Sequence, residues 1–175
     1  MKRMSWLVLL LAIGGSTGCA SNASVQPLSI GQQVDFSLLE DQRGNAFAHQ
    51  QDMKLVLYVD GMKAKNLVRD AFVDIDQSCL SEGRVVYLAD ISGMPSLISS
   101  LIAIPRMRNY AYPIWLDRTG LATDALPVQD DAVTVLTLEQ QAVKAVDFVA
   151  DTPSLLQRLR TECGPASQQM AQSGV

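Results

Sequence analysis

The sequence predicts an α/β domain, a central mixed sheet flanked by helices, preceded by an export segment. Three observations predict it. Two uncharged runs, LVLYV at 55–59 and VVYLA at 85–89, have the length and composition of strands buried on both faces. Between them the apolar positions Ala64, Val68, Ala71, Phe72, Ile75 and Cys79 recur at helical spacing. Further on, residues 133–138 and 143–149 flank Glu139-Gln140-Gln141-Ala142 as the two arms of an antiparallel hairpin.

The remaining elements follow in chain order. In MKRMSWLVLLLAIGGSTGCA, Lys2 and Arg3 precede a short apolar core at 6–13, well under the roughly 20 residues a membrane span requires. Residues 1–18 therefore read as a signal peptide, and 19–29 as a tether ahead of the domain. Residues 34–38 alternate as a strand does, DQRGN at 41–45 is turn chemistry, and 46–48 makes a second short strand. The helical spacing predicts a helix from Lys63 to Cys79, closed by Ser81-Glu82-Gly83. Gly93-Met94-Pro95 opens a second helix with the apolar set Leu97, Ile98, Leu101 and Ile102, which Pro105 ends or kinks. Residues 112–116 form a strand before the turn Asp117-Arg118-Thr119-Gly120. Thr152-Pro153, an N-cap followed by Pro at N1, starts a last helix through Leu155, Leu156 and Leu159 to Cys163. One domain thus spans 30–163, and the polar, aperiodic stretch 164–175 reads as a disordered tail.

Composition narrows the function. The 175 residues carry a net charge of −4, and losing Lys2 and Arg3 with the signal peptide takes it to −6. There is no basic stripe and no interleaving of basic with aromatic residues, so nucleic acid is not an expected partner. His49, the only histidine, falls in a loop, and the cysteines lack the clustered spacing of a metal site. Ser92 has no His or Asp partner by any recognisable motif. No metal and no cofactor is expected.

The end of the leader resembles a bacterial lipoprotein signal. Thr17-Gly18-Cys19 supplies the small residues and the Cys, while Ser16 stands where that family usually has Leu. The resemblance implies a fatty-acylated Cys19 and attachment to the membrane through the N-terminal lipid. Ala20, in place of the Asp that retains such proteins at the inner membrane, implies the outer membrane, with the domain facing the periplasm.

The element order, β-β, then β-α-β-α, then a hairpin and a closing helix, resembles the thioredoxin superfamily. Ile30 to Leu38 with Asp41-Gln42-Arg43-Gly44, and Tyr112-Pro113 through Asp117-Arg118-Thr119-Gly120, are similar to segments of its peroxiredoxin-like branch. In that superfamily the first strand-to-helix junction carries Cys-x-x-Cys or a peroxidatic Cys, faced by a cis-proline ahead of the hairpin strand. This chain has Gly61-Met62-Lys63-Ala64-Lys65-Asn66 at the first place and Asp130-Asp131-Ala132-Val133 at the second. It therefore resembles the degenerate periplasmic members that have lost their cysteines. The implied function is a non-catalytic binding or scaffold module for an envelope protein partner. The alternative is a thiol-disulfide oxidoreductase or peroxidase that uses Cys79 and Cys163 from an unusual position.

The resemblance also implies placements. In a thioredoxin fold the first and last helices pack on one sheet face and run the same way, which brings Cys79 and Cys163 together as a disulfide. Lys63 and Lys65, beside a helix N-terminus, are candidate anion or partner contacts. Asp60, Asp90, Asp130 and Asp131 would share the rim at the strand ends, a candidate weak Ca²⁺ site. Met62, Met94 and Met107, with the Ile/Leu face of the second helix, form a candidate apolar groove at the same rim.

Overall fold

The computed structural model of the chain describes residues 27–164. The signal peptide, Cys19, most of the tether and the tail after Gly164 lie outside the described residues.

The two uncharged runs form the middle of the sheet, as their composition requires. β2 (Leu55–Val59) and β3 (Val85–Asp90) pair in parallel, Leu55 opposite Val85 and Tyr58 opposite Leu88. Six strands lie in the order β1-β4-β3-β2-β5-β6. β4 (Trp115–Asp117) is parallel to β3, and β1 (Glu40–Asp41) closes one edge antiparallel to β4. On the other side β5 (Val133–Glu139) runs antiparallel to β2, and β6 (Ala142–Val149) antiparallel to β5. This parallel βαβ core, extended by an antiparallel hairpin and a last helix, is thioredoxin-like. The hairpin turns through Gln140 and Gln141, both at positive φ (50° and 67°), the backbone that matches the twist of the two strands.

Each face of the sheet has its own core. Leu55, Leu57, Val85, Tyr87, Val133 and Val135 point to the helical face. There they meet Ala64, Val68 and Ala71 of α1 (Met62–Ala71) and Leu155 and Leu159 of α5 (Thr152–Cys163). Asp151 caps α5 by accepting from the Ser154 amide at 2.9 Å, so the cap sits one residue before the expected Thr152. The alternate strand residues, Val56, Val86, Leu88, Leu136 and Leu138, face the other way. They are covered by the N-terminal segment through Val34, Phe36, Leu39, Phe47 and Met53. Helices therefore lie on one face and irregular chain on the other. Leu28, assigned to the tether, is already docked, its amide donating to Ala125 O at 2.9 Å.

Four local expectations are corrected. Residues 34–37 keep the alternating burial of a strand, which Leu38 breaks by being exposed, and they lack its ladder, because the Gln50 side chain takes the Phe36 amide and the Val34 carbonyl. Residues 46–48 contribute only an isolated bridge, Ala46 to Glu40. The first helix stops at Ala71, passes through a 3₁₀ turn (Phe72–Asp74) and is broken by extended Ile75 before the short α2 (Ser78–Ser81). Asp76 accepts from the Ser78 amide at 2.9 Å, and this Asx turn competes with continued helix. Finally, α3 (Ser96–Ile98) continues through a π turn (Ser99–Ala103) into α4 (Ile104–Met107), so Pro105 does not end the helix. Pro105 has no amide for the carbonyl four residues back, and the wide turn accommodates that missing bond.

Candidate functional site

The β2–α1 junction opens on a cavity of about 280 Å³ at the C-terminal ends of the parallel strands. Gly61, at φ 96° and ψ 167°, turns the chain into α1, and no side chain caps the helix there. A β-carbon would disfavour that backbone, although the space beside Gly61 is open. The first amides of α1 therefore start at the cavity edge without a local acceptor side chain.

Met62, Met94 and Met107 all line the cavity, as the candidate groove anticipated. The Ile/Leu face of the second helix does not join the core. Leu97 and Leu101 are about 70% exposed, and neither α3 nor the π turn buries a residue. The helix meets the fold only at its end, through Ile104 and Met107.

All four tyrosines border the same space. Tyr58 belongs to the core of the loop-covered face, and its phenol pKa is pushed up by burial and then by Asp90 and Asp60. The other three form one cluster. Tyr110 stacks on Tyr112 (centroids 5.2 Å), and Phe72 meets both Tyr112 (4.8 Å) and Tyr87 (5.8 Å) edge to face. Tyr87 is 4% exposed and Tyr112 is 6%. Burial raises both phenol pKa values, the neighbouring phenols add to it, and no hydrogen bond contributes to either shift. Among the described residues the only fully enclosed side-chain polar atom without a partner is Trp115 Nε1, so the Tyr87 and Tyr112 hydroxyls are not sealed off from the cavity they line.

The charged residues divide. Lys63 points away from the cavity lining to Asp131, Nζ to Oδ2 at 3.1 Å, while Lys65 lines the cavity with Arg69 one turn on. Arg69 is itself held by Asp70 at 2.8 Å. The two candidate lysines thus do not act together. Asp60 and Asp90 line the cavity, and Asp131 sits at φ 61° in the turn before β5. Among the described residues no three Asp, Glu, His or Cys side chains group so that they could hold a metal ion. Asp90 Oδ1 accepts from the Ser92 amide at 2.7 Å, and Asp131 is occupied by Lys63.

Cys79 and Cys163 are joined, with Cα atoms 5.1 Å apart across a sequence separation of 84. The route differs from the expectation, since Cys79 lies in α2 rather than at the end of the first helix. The bond sits at the N-terminal end of the parallel strands, away from the cavity. There Arg84 O accepts the Lys54 and Leu55 amides, and the Arg84 guanidinium donates to Glu162 O.

In the sequence Gln42 and Asp117 read as turn residues, and the turns they stand in do not reveal how much their side chains hold together. Gln42, 1% exposed, donates to Tyr112 O (2.9 Å) and accepts from the Ile114 amide (2.8 Å), continuing the β1–β4 pairing with a side chain. Asp117, equally buried, accepts from the amides of Thr119, Gly120, Ala122 and Thr123 and from both threonine hydroxyls. Burial raises its pKa, but these donors outweigh that and leave it below the ordinary value. The Asp-x-x-Gly at Asp41 repeats the device, with Arg43 and Asn45 amides on Oδ1 and Gly44 at φ 88°. The two segments that resemble the peroxiredoxin-like branch therefore each join a short edge-side strand, β1 or β4, to a loop held by an Asp side chain. A signal existed for both, since Asp followed three residues on by Gly is turn chemistry.

No family model and no curated protein matches the chain. Among solved structures, an uncharacterized thioredoxin-like protein from Porphyromonas gingivalis is similar at 12% identity and TM-score 0.44, over 76% of this chain and 93% of that one. A thiol peroxidase from Chromobacterium violaceum is similar at 14% identity and TM-score 0.40, over 79% and 90%.

Proposed function

We propose that this protein is a non-catalytic thioredoxin-fold binding module of the bacterial envelope, anchored in the outer membrane by lipid on Cys19 and facing the periplasm. One observation carries the reading. At the junction where the thioredoxin enzymes keep their thiol, the chain has Gly61-Met62-Lys63 opening on a cavity, while both domain cysteines are bonded to each other at the far end of the sheet. A thioether neither ionises nor forms a disulfide, so Met62 supplies contact area and no redox chemistry. The cavity, with the exposed Met62 and Met94 in its lining, is a surface for binding.

The test is turnover by the purified mature protein. Insulin reduction, disulfide isomerisation and peroxide consumption are expected at background level, unchanged by Cys79→Ser or Cys163→Ser. Activity that either substitution abolishes, with the fold intact, would favour a thiol oxidoreductase or peroxidase. The anchor is tested separately: labelled fatty acid is expected in the wild type and absent from Cys19→Ser.

A further inference from the structure

We propose that the cavity is a binding site for a small, uncharged ring compound carrying a carbonyl-type hydrogen-bond acceptor, held by the Tyr87 and Tyr112 hydroxyls. This deepens the binding role proposed above and rests on it, in that the site is taken as a place of binding and not of turnover.

Three observations favour that chemical class. First, size: about 280 Å³ is at the small end of ligand pockets, which run from about 300 to 1,000 Å³, so the occupant is a fragment-sized molecule. Second, polarity: two phenols more than nine-tenths buried line the cavity, and neither finds a hydrogen-bond partner among the described residues. Their hydroxyls open on the cavity and are not sealed in the protein, so whatever satisfies them lies in the cavity, where an acceptor brought by a ligand fits. Both keep their protons far above neutral pH, which makes them donors throughout the physiological range. Third, charge: Asp60 and Asp90 on the strand side are balanced by Lys65 and Arg69 on α1, and Arg69 is already paired with Asp70. Neither an anion nor a cation gains from such a lining. Around the hydroxyls the walls are rings and thioethers, with Tyr110 stacked on Tyr112 and Met94 and Met107 nearby, surfaces that accept a flat apolar body.

The experiment titrates the mature chain with 1-indanone and, separately, with indane, the same ring system without the carbonyl, following backbone amide resonances. Saturable shifts are expected at Gly61, Met62 and Ile114, with indanone bound about five- to tenfold more tightly than indane, the effect of a net hydrogen bond or two. In Tyr87→Phe/Tyr112→Phe, which keeps both rings, the two probes should bind alike. Absence of saturation, shifts confined to other regions, or indane as tight as indanone in the wild type would overturn the proposal. So would a preference that survives in the folded double variant. The wild-type comparison needs no variant, and it fails or succeeds independently of the turnover assays.

Discussion

The two ends of the parallel strands are built on opposite principles. At the N-terminal end nearly every group is engaged: Cys79 is bonded to Cys163, the Asp76 amide donates to Gly164 O, and Arg84 ties β2, β3 and the end of α5 together. At the C-terminal end α1 begins without a cap, the strands open on a cavity, and the Tyr87 and Tyr112 hydroxyls have no protein partner beside it among the described residues. The fold thus gains its cross-link where nothing enters and leaves its open surface free of it. In a thiol enzyme the redox-active sulfur belongs to the open end, where the helix N-terminus stabilises a thiolate. Here the two domain cysteines lie at the closed end, bonded to each other.

The comparison sharpens into expected effects on stability, greatest at the closed end. Removing the disulfide with Cys79→Ala/Cys163→Ala should cost about 4–5 kcal/mol, the chain-entropy value for a loop of this length. At roughly 2–4 °C per kcal/mol, the melting midpoint should fall by about 10–20 °C, read by circular dichroism. Probe binding at the cavity, measured below that midpoint, should be unaltered.

Asp117→Ala should cost about 3 kcal/mol, because it strands several amide donors in a buried loop at once. The same carboxylate makes stability depend on pH. Its folded pKa lies below the ordinary aspartate value of about 3.9, so its contribution is complete above that value. It is lost as pH falls through the ordinary value and then through the lower folded one. Urea midpoints of the wild type should therefore drop more between pH 6 and pH 3 than those of Asp117→Asn.

Gly83→Ala comes next, at about 2 kcal/mol. Gly83 sits at φ 75°, and an added β-carbon would lie 2.1 Å from His49 Cβ, so both backbone strain and a clash oppose it. The smallest effect belongs to the open end. Lys63→Ala breaks only the exposed pair with Asp131 and should change stability by less than about 1 kcal/mol in the same urea assay.

Much of this architecture was legible in the sequence. Residues 55–59 and 85–89 read as buried strands, since five uncharged residues in a row, β-branched and aromatic ones among them, leave no face for solvent, and the hairpin followed from alternation. The methionine lining of the cavity was also readable, once the junction was placed at the strand ends. What was not legible depends on long-range contact. Gln42 reads as a turn residue until its side chain is seen to pair with backbone 70 residues away. Leu97, Ile98, Leu101 and Ile102 have the spacing of a core face, and periodicity carries no information about whether anything packs against it. The helix break at Ile75 arises from the Asp76 turn, which competes locally against an apolar period that would otherwise continue. Tyr87 and Tyr112 are 25 residues apart in sequence and meet only because β3 and the segment before β4 lie side by side.

The central claim is that sulfur in this domain is structural, and its most direct measure is thiol reactivity in the native state. Cys79 is fully buried and Cys163 is 5% exposed. Native mature protein held in a glutathione buffer and then treated with an alkylating reagent should show no added mass on either domain cysteine. After denaturation and reduction both should be modified. A native fraction alkylated at Cys79 or Cys163 that grows with reductant and disappears when a disulfide or peroxide substrate is added would contradict the account.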